Sequence, residues 1–339
     1  MVQDGEKQTP IYFRGRRIRD AIFQTLLDPT GPYGMSGAEN VLLTGCSSGG
    51  LASYLHSDWA HDLLKKTATG LKKFKTLGIS GFFLQHDTVE GLPVYQTQMA
   101  NVMKIQNTTG ALNPVCLAAR SAHKAWECMF AQNNYAVTKV PTFVENSALD
   151  MWQMWCIYGS APIAGFPNPT SGMNGNCSAP ISDSNGDAWN PCVSNPENCT
   201  SSQMGTMNKY IDDFVAALKA TKTFASPGNG GFIHSCHSHC DGISGGWPNF
   251  KIDNTSMGAV ARAWWDSDGT DSAAKHTKLP CRYNENSRPV LRLFPPCALI
   301  SHAQGSSGVV DNMPFAWRGH TKSLTTRARP SPDLAVWLE

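Results

Sequence analysis

Apolar positions along the chain alternate between short continuous runs and residues spaced three to four apart. A helical segment from about Arg16 to Leu27 is ended by the Pro- and Gly-containing stretch DPTGPYGMSGAEN. Val41-Leu42-Leu43-Thr44 then predicts a buried strand. Gly45 and Gly49-Gly50 turn the chain into LASYLHSDWAHDLLKK, where Leu51, Tyr54, Leu55, Trp59 and Leu63 recur at helical spacing. GISGFFL, residues 78–84, and VPTFVENS, residues 140–147, predict two further strands, the second leading into the more helical DMWQMWCIY. Residues 165–202 are rich in Pro, Asn, Ser and Gly, with few apolar side chains to pack, so cross-links would have to order them. A helix over about Gln203–Lys219 and the strand-like GFIHSC follow. Beyond about Cys297 the periodicity fades, and residues 298–339 are expected to be an irregular tail. No internal repeat and no clear linker between two folded domains is evident.

Composition narrows the setting. A chain of 339 residues can bury a full core without disulfides, yet it carries 11 cysteines. Sequons stand at Asn107, Asn176, Asn198 and Asn254. Together these favour a secreted, extracellular or cell-wall protein. A net charge of +2 and a charged fraction of 16% argue against nucleic acid as a partner. No apolar run approaches the ~18 residues of a membrane helix, and MVQDGEKQTP has no signal-peptide core. The missing signal conflicts with the cysteines: either the protein stays in the cytosol or the true amino terminus is absent from this chain.

Gly45-Cys46-Ser47-Ser48-Gly49 matches G-x-S-x-G between a strand and an amphipathic helix, the context in which a serine hydroxyl is held exposed on a tight turn. The Ser48 N–H at the helix start could stabilise an oxyanion. A plain Gly/Ser turn with Cys46 as an apolar filler is the competing reading. A serine nucleophile needs a base, and the base an orienting carboxylate. Asp150 follows the third strand and precedes a helix, so it suits either an acid or an N-cap. His234, His237 and His239 crowd with Cys236 and Cys240 into GFIHSCHSHCDG. A structural zinc needs about four ligands, and no second cluster stands at a typical interval. Cys236 and Cys240 are better read as disulfide ends with different partners, pinning the histidine loop from both sides. His234 reads as structural, while His237 and His239 stay open.

The blocks IYFRGRRIRDAIFQTLL, AENVLLTGCSSGGLASYLHSDW, GISGFFLQ, NSALDMWQMW and FIHSCHSHCDG resemble, in order, those of the pectin acetylesterase family, whose animal relative is the Notum carboxylesterase. The resemblance spans about residues 11–245. It is strongest at the elbow, where Ser48 replaces the family's Ala, and at the S-C-x-x-H-C histidine block. It implies an α/β-hydrolase-like three-layer fold with a central mostly parallel sheet, residues 1–297 forming that domain. It further implies Ser47 as nucleophile, Asp150 as acid, His239 as base, and no cofactor. The implied substrate is acetylated pectic polysaccharide, acted on by a monomer without nucleic-acid or membrane partners. His237 falls on a variable family position. Structural disulfides are expected among Cys116, Cys128, Cys177, Cys192, Cys199, Cys236, Cys240, Cys281 and Cys297. An odd count leaves one cysteine over, and Cys46, facing the core, is expected to be unpaired.

Two departures shape the expectation. The family's Gly-Gly-Gly-Trp-type block, source of a second oxyanion donor, has no counterpart ahead of IYFRGRRI, so the domain is expected to be N-terminally incomplete. Gly245-Gly246-Trp247 lies downstream of the histidines and is not assumed to replace it. A Notum-like deacylase of longer acyl chains, an inactive polysaccharide-binding pseudoenzyme and a metal-binding protein are the alternatives.

Overall fold

The computed structural model describes residues 12–157, 189, 191–243 and 245–280, with backbone strands β1 (Val2–Asp4), β2 (Lys7–Thr9) and β10 (Asp333–Leu338). The central sheet contains β3 (Asn40–Cys46), β4 (Lys73–Ile79), β5 (Thr142–Ser147), β6 (Gly230–His234) and β9 (Thr277–Lys278), in the order β10-β3-β4-β5-β6-β9. Every neighbouring pair in it is parallel. Two short antiparallel pairs stand apart, β1 with β2 and β7 (Lys251–Ile252) with β8 (Thr255–Ser256). Parallel neighbours need crossovers, and helices supply them. The helices α1 (Gly15–Leu27), α2 (Ser48–Thr67), α3 (Val94–Gln106), α4 (Met151–Ile157), α5 (Ser201–Ala220) and α6 (Met257–Asp266) lie between or beside the strands.

Both faces of the sheet are covered, as the near-continuous burial of β3, β4 and β5 requires. Leu51 and Tyr54 of α2, Tyr95 of α3 and Tyr210, Ile211, Phe214 and Leu218 of α5 pack with Val144 and Ile233 on one face. Met257, Val260, Ala261 and Trp264 of α6 pack with Leu42, Leu77, Phe143 and Phe232 on the other. Alternate residues along each strand serve opposite layers, giving helix, sheet and helix. A buried lysine helps join them: Lys75 Nζ donates to the carbonyls of Trp264 at 2.6 Å and Ser267 at 3.1 Å, meeting the negative end of α6.

Three expectations are corrected. GISGFFL is not a strand throughout, because β4 ends at Ile79 and Ser80 turns to φ 46°. The following N–H groups of Phe82 and Leu84 donate to the side chains of Asn146 and Gln153, so FFL enters the core as anchored loop. The tail after Cys297 is not irregular throughout, since Asp333–Leu338 pairs in parallel with β3, giving that strand's backbone groups a partner on their second side. Cys46 is not unpaired. It is bonded to Cys240, their Cα atoms 5.7 Å apart, because the loop after β6 folds back over the end of β3.

Candidate active site

The elbow forms where β3 runs into α2. Ser47 lies between them with φ 59° and ψ −121°, a conformation costly for a residue with a Cβ. Its N–H donates to Ile79 O at 3.0 Å, tying the turn to the end of β4. Ser47 is half-buried and Ser48, the first residue of α2, is exposed. The N–H of a first-turn residue has no intrahelical acceptor and is free to meet an anion. Gly45 lies within β3 opposite Gly78, and Gly49 is buried in the first turn of α2. Close backbone passage falls on residues the motif does not mark. A Cβ on Gly50 would lie 2.3 Å from Ile79 O, and one on Gly81 would lie 2.2 Å from Gly50 C.

Asp150 follows β5 at the start of α4 and is fully buried. Its two oxygens divide the readings the sequence leaves open. Oδ1 accepts from Gln153 N at 3.0 Å, an N-cap bond, and Oδ2 lies 2.7 Å from His239 Nδ1. A carboxylate at Nδ1 holds the ring proton there and leaves Nε2 as the basic nitrogen. Nε2 of His239 is buried and has no hydrogen-bond partner among the described residues. Burial pulls the His239 pKa down, but the charge and hydrogen bond of Asp150, aided by Asp241 and Glu145, outweigh it and hold it above the ordinary value.

The histidine loop is fastened at several points. Met151 N donates to Ser238 O at 3.1 Å, Cys240 N donates to Ser80 Oγ at 2.9 Å, and Cys240 bonds to Cys46. Cys236 is also disulfide-bonded. Both loop cysteines are therefore consumed as disulfides and are not thiolate ligands. Cys46 Sγ, Cys240 Sγ and a ring nitrogen of His239 lie within 4.8 Å of one another, which sets the imidazole beside the residue preceding Ser47. Cys116 bonds to Cys128 and Cys192 to Cys199, whereas Cys177, Cys281, Cys297 and Asn176 lie outside the described residues. Asn107, Asn198 and Asn254 are exposed.

The other two histidines of the block diverge. His237 is held beside the Val193 backbone, with burial lowering its pKa. His234 is buried at the end of β6, its Nε2 3.2 Å from Asp241 Oδ2 and 3.5 Å from Glu145 Oε1. In the neutral ring of His234, Nδ1 accepts from Cys236 N at 3.3 Å and the proton sits on Nε2, facing the two carboxylates. That tautomer offers the carboxylates a proton rather than offering a cation a lone pair. Trp247 of the downstream Gly-Gly-Trp is buried in the α6-side core. Sequence reasoning missed Glu145 and Asp241, because an acid in a strand and an acid in a loop show no spacing that links them.

A strand-to-helix serine turn and a carboxylate-oriented histidine at the same end of a parallel sheet are features of the α/β-hydrolase class. The pectinacetylesterase family model matches residues 1–164 and 173–288, and the chain belongs to that family. It is 30% identical to pectin acetylesterase 11 of Arabidopsis thaliana over 275 residues, covering 80% of this chain and 62% of that protein. Pectin acetylesterase 4 of the same plant is 28% identical over 263 residues, covering 77% of this chain and 56% of that protein. The chain thus spans about three fifths of the length of the curated relatives it matches. Among solved structures it is similar to the Wnt deacylase Notum from Drosophila, with a TM-score of 0.55 and 19% identity over 80% of this chain and 64% of the other, a likeness of fold.

Proposed function

We propose that this chain is a serine carboxylesterase that removes acetyl groups from pectic polysaccharide, with Ser47 as nucleophile, His239 as general base and Asp150 as its orienting acid. The observation that carries the reading is the 2.7 Å contact between Asp150 Oδ2 and His239 Nδ1, which leaves Nε2 unpartnered on a loop bonded to the residue before Ser47. Nε2 takes the Ser47 proton as Oγ attacks the acetyl carbonyl, and the N–H of Ser48 donates to the developing oxyanion. The imidazolium then returns the proton to the departing sugar oxygen. Water, deprotonated by the same nitrogen, cleaves the acyl-enzyme and releases acetate. Family membership supports the substrate, and the paired cysteines support an oxidising, extracellular setting.

The test is acetate release from acetylated pectin and from p-nitrophenyl acetate by the chain and by Ser47→Ala. Loss of release in the variant, with fluorophosphonate labelling confined to the unsubstituted chain, is expected. Equal rates from the two proteins would refute the assignment. A preference for octanoyl over acetyl esters would replace the substrate class while keeping the chemistry.

A further inference from the structure

We propose that the Cys46–Cys240 disulfide is a redox-addressable clamp holding Ser47 and His239 in reacting register, so that its reduction switches hydrolysis off while the fold persists. The proposal rests on the serine-esterase reading above. Its ground is the placement of the bond: Cys46 immediately precedes the nucleophile, and Cys240 immediately follows the base. The two residues are 194 apart in sequence, yet their Cα atoms are 5.7 Å apart. Cys116–Cys128 and Cys192–Cys199 touch neither residue, and the disulfide at Cys236 enters the loop ahead of His239.

Several other fastenings of the histidine loop lead to different elements. Met151 N to Ser238 O and His239 to Asp150 tie it to the start of α4, and Cys240 N to Ser80 Oγ ties it to the end of β4. None of these bonds joins the loop to the elbow directly, the two meeting only through Ile79 and Ser80 at the end of β4, whereas the disulfide bonds one to the other. Cutting it leaves Asp150 and His239 paired and Ser47 anchored to Ile79, but frees the two halves of the site to separate. Cys240 has φ 62°, an unusual conformation for a residue with a side chain, and the clamp helps hold it. Displacement of a reacting group by about 1 Å can cost ~10²-fold in rate.

Cys240 is half-buried, so a small dithiol can reach it. The reagent's thiolate attacks Cys240 Sγ, breaking the S–S bond and releasing Cys46 as thiolate, which takes up a proton. The reagent's second thiol then displaces Cys240 and leaves as a cyclic disulfide. Two electrons pass to the cysteines, and reoxidation reverses the change.

The experiment titrates the full chain with dithiothreitol and follows p-nitrophenyl acetate kinetics, thiol alkylation mapped by mass spectrometry, and thermal melting of the same samples. Expected is at least a tenfold fall in kcat that tracks alkylation of Cys46 and Cys240, with KM within about twofold, melting still above the assay temperature, and recovery on reoxidation. Cys46→Ala/Cys240→Ala should share the low kcat and ignore dithiothreitol, while Cys116→Ala/Cys128→Ala should keep full activity and full sensitivity. Undiminished kcat once Cys46 and Cys240 are alkylated, or a loss that coincides with global unfolding, overturns the clamp and leaves the serine reading intact. Retention of full rate by Ser47→Ala overturns both.

Discussion

Asp150 presents one oxygen to His239 and the other to the backbone of its own helix: Oδ2 lies 2.7 Å from His239 Nδ1, and Oδ1 accepts from Gln153 N at 3.0 Å. The N-cap bond fixes the carboxylate's rotamer, and the fixed rotamer fixes the ring. One residue thereby meets a local demand of the helix and a distant demand of the loop.

Replacing Asp150 with Asn separates these duties. The amide oxygen can still cap α4, but an amide facing Nδ1 favours the wrong tautomer. Asp150→Asn should melt within a few degrees of the parent while kcat falls by ~10⁴. Asp150→Ala should lose similar activity and a further ~1 kcal/mol of stability from the missing cap. Steady-state kinetics beside thermal melts would check both.

The pH profile follows from the raised pKa of His239. Only the neutral ring accepts the serine proton, so kcat/KM should fall on the acid side with an apparent pKa above the ordinary 6.5. Because Asp150 is the main group raising it, and Glu145 a lesser one, Glu145→Gln should move this limb downward slightly. Stability runs the other way. A histidine whose folded pKa is raised stabilises the fold fully below 6.5, and that contribution disappears as pH climbs through the folded value. A profile unmoved by Glu145→Gln would show that the buried acid does not reach the site.

Beneath the loop, Glu145, His234 and Asp241 form a buried set sharing protons. Burial pushes Glu145 up to about 6. Burial also pulls His234 down, but hydrogen bonds to Asp241 and Glu145 overcome this and push it up to about 9. By the same sign rule, the stabilisation from His234 is complete below 6.5 and is lost as pH rises through about 9. His234→Leu leaves two carboxylates without their proton donor and should cost about 3–5 kcal/mol at pH 8. At pH 10, above the folded value of His234, that contribution has been lost and the cost should be visibly smaller. Denaturant unfolding at the two pH values decides it.

Gly50 carries a packing constraint that bears on the elbow. An added Cβ would stand 2.3 Å from Ile79 O and 3.0 Å from Gly81 Cα, and both are backbone atoms that cannot rotate away. Ile79 O also accepts the Ser47 N–H, so whatever moves it moves Ser47. Gly50→Ala should cost roughly 3 kcal/mol and at least tenfold in kcat, read from melts and initial rates.

The local parts of this protein are legible in its sequence. Periodicity places α1, α2, α5, β3, β5 and β6 within a few residues, because amphipathic spacing and turn glycines act over a single element. The order of Ser47, Asp150 and His239 and the blocks around them point to the family in the same way. The strand expected at residues 78–84 runs instead over Lys73–Ile79, where the Lys75 ammonium is spent on the carbonyls of α6. What only the tertiary structure decided depends on approaches between segments far apart along the chain. Cys46 was paired by a loop 194 residues away, Glu145 was set beside His234 by the register of β5 against β6, and Gly50 was made indispensable by Gly81. Spacing along a chain reports which residues share one face of one element. Distances between elements arise only once the sheet has brought the strand ends together.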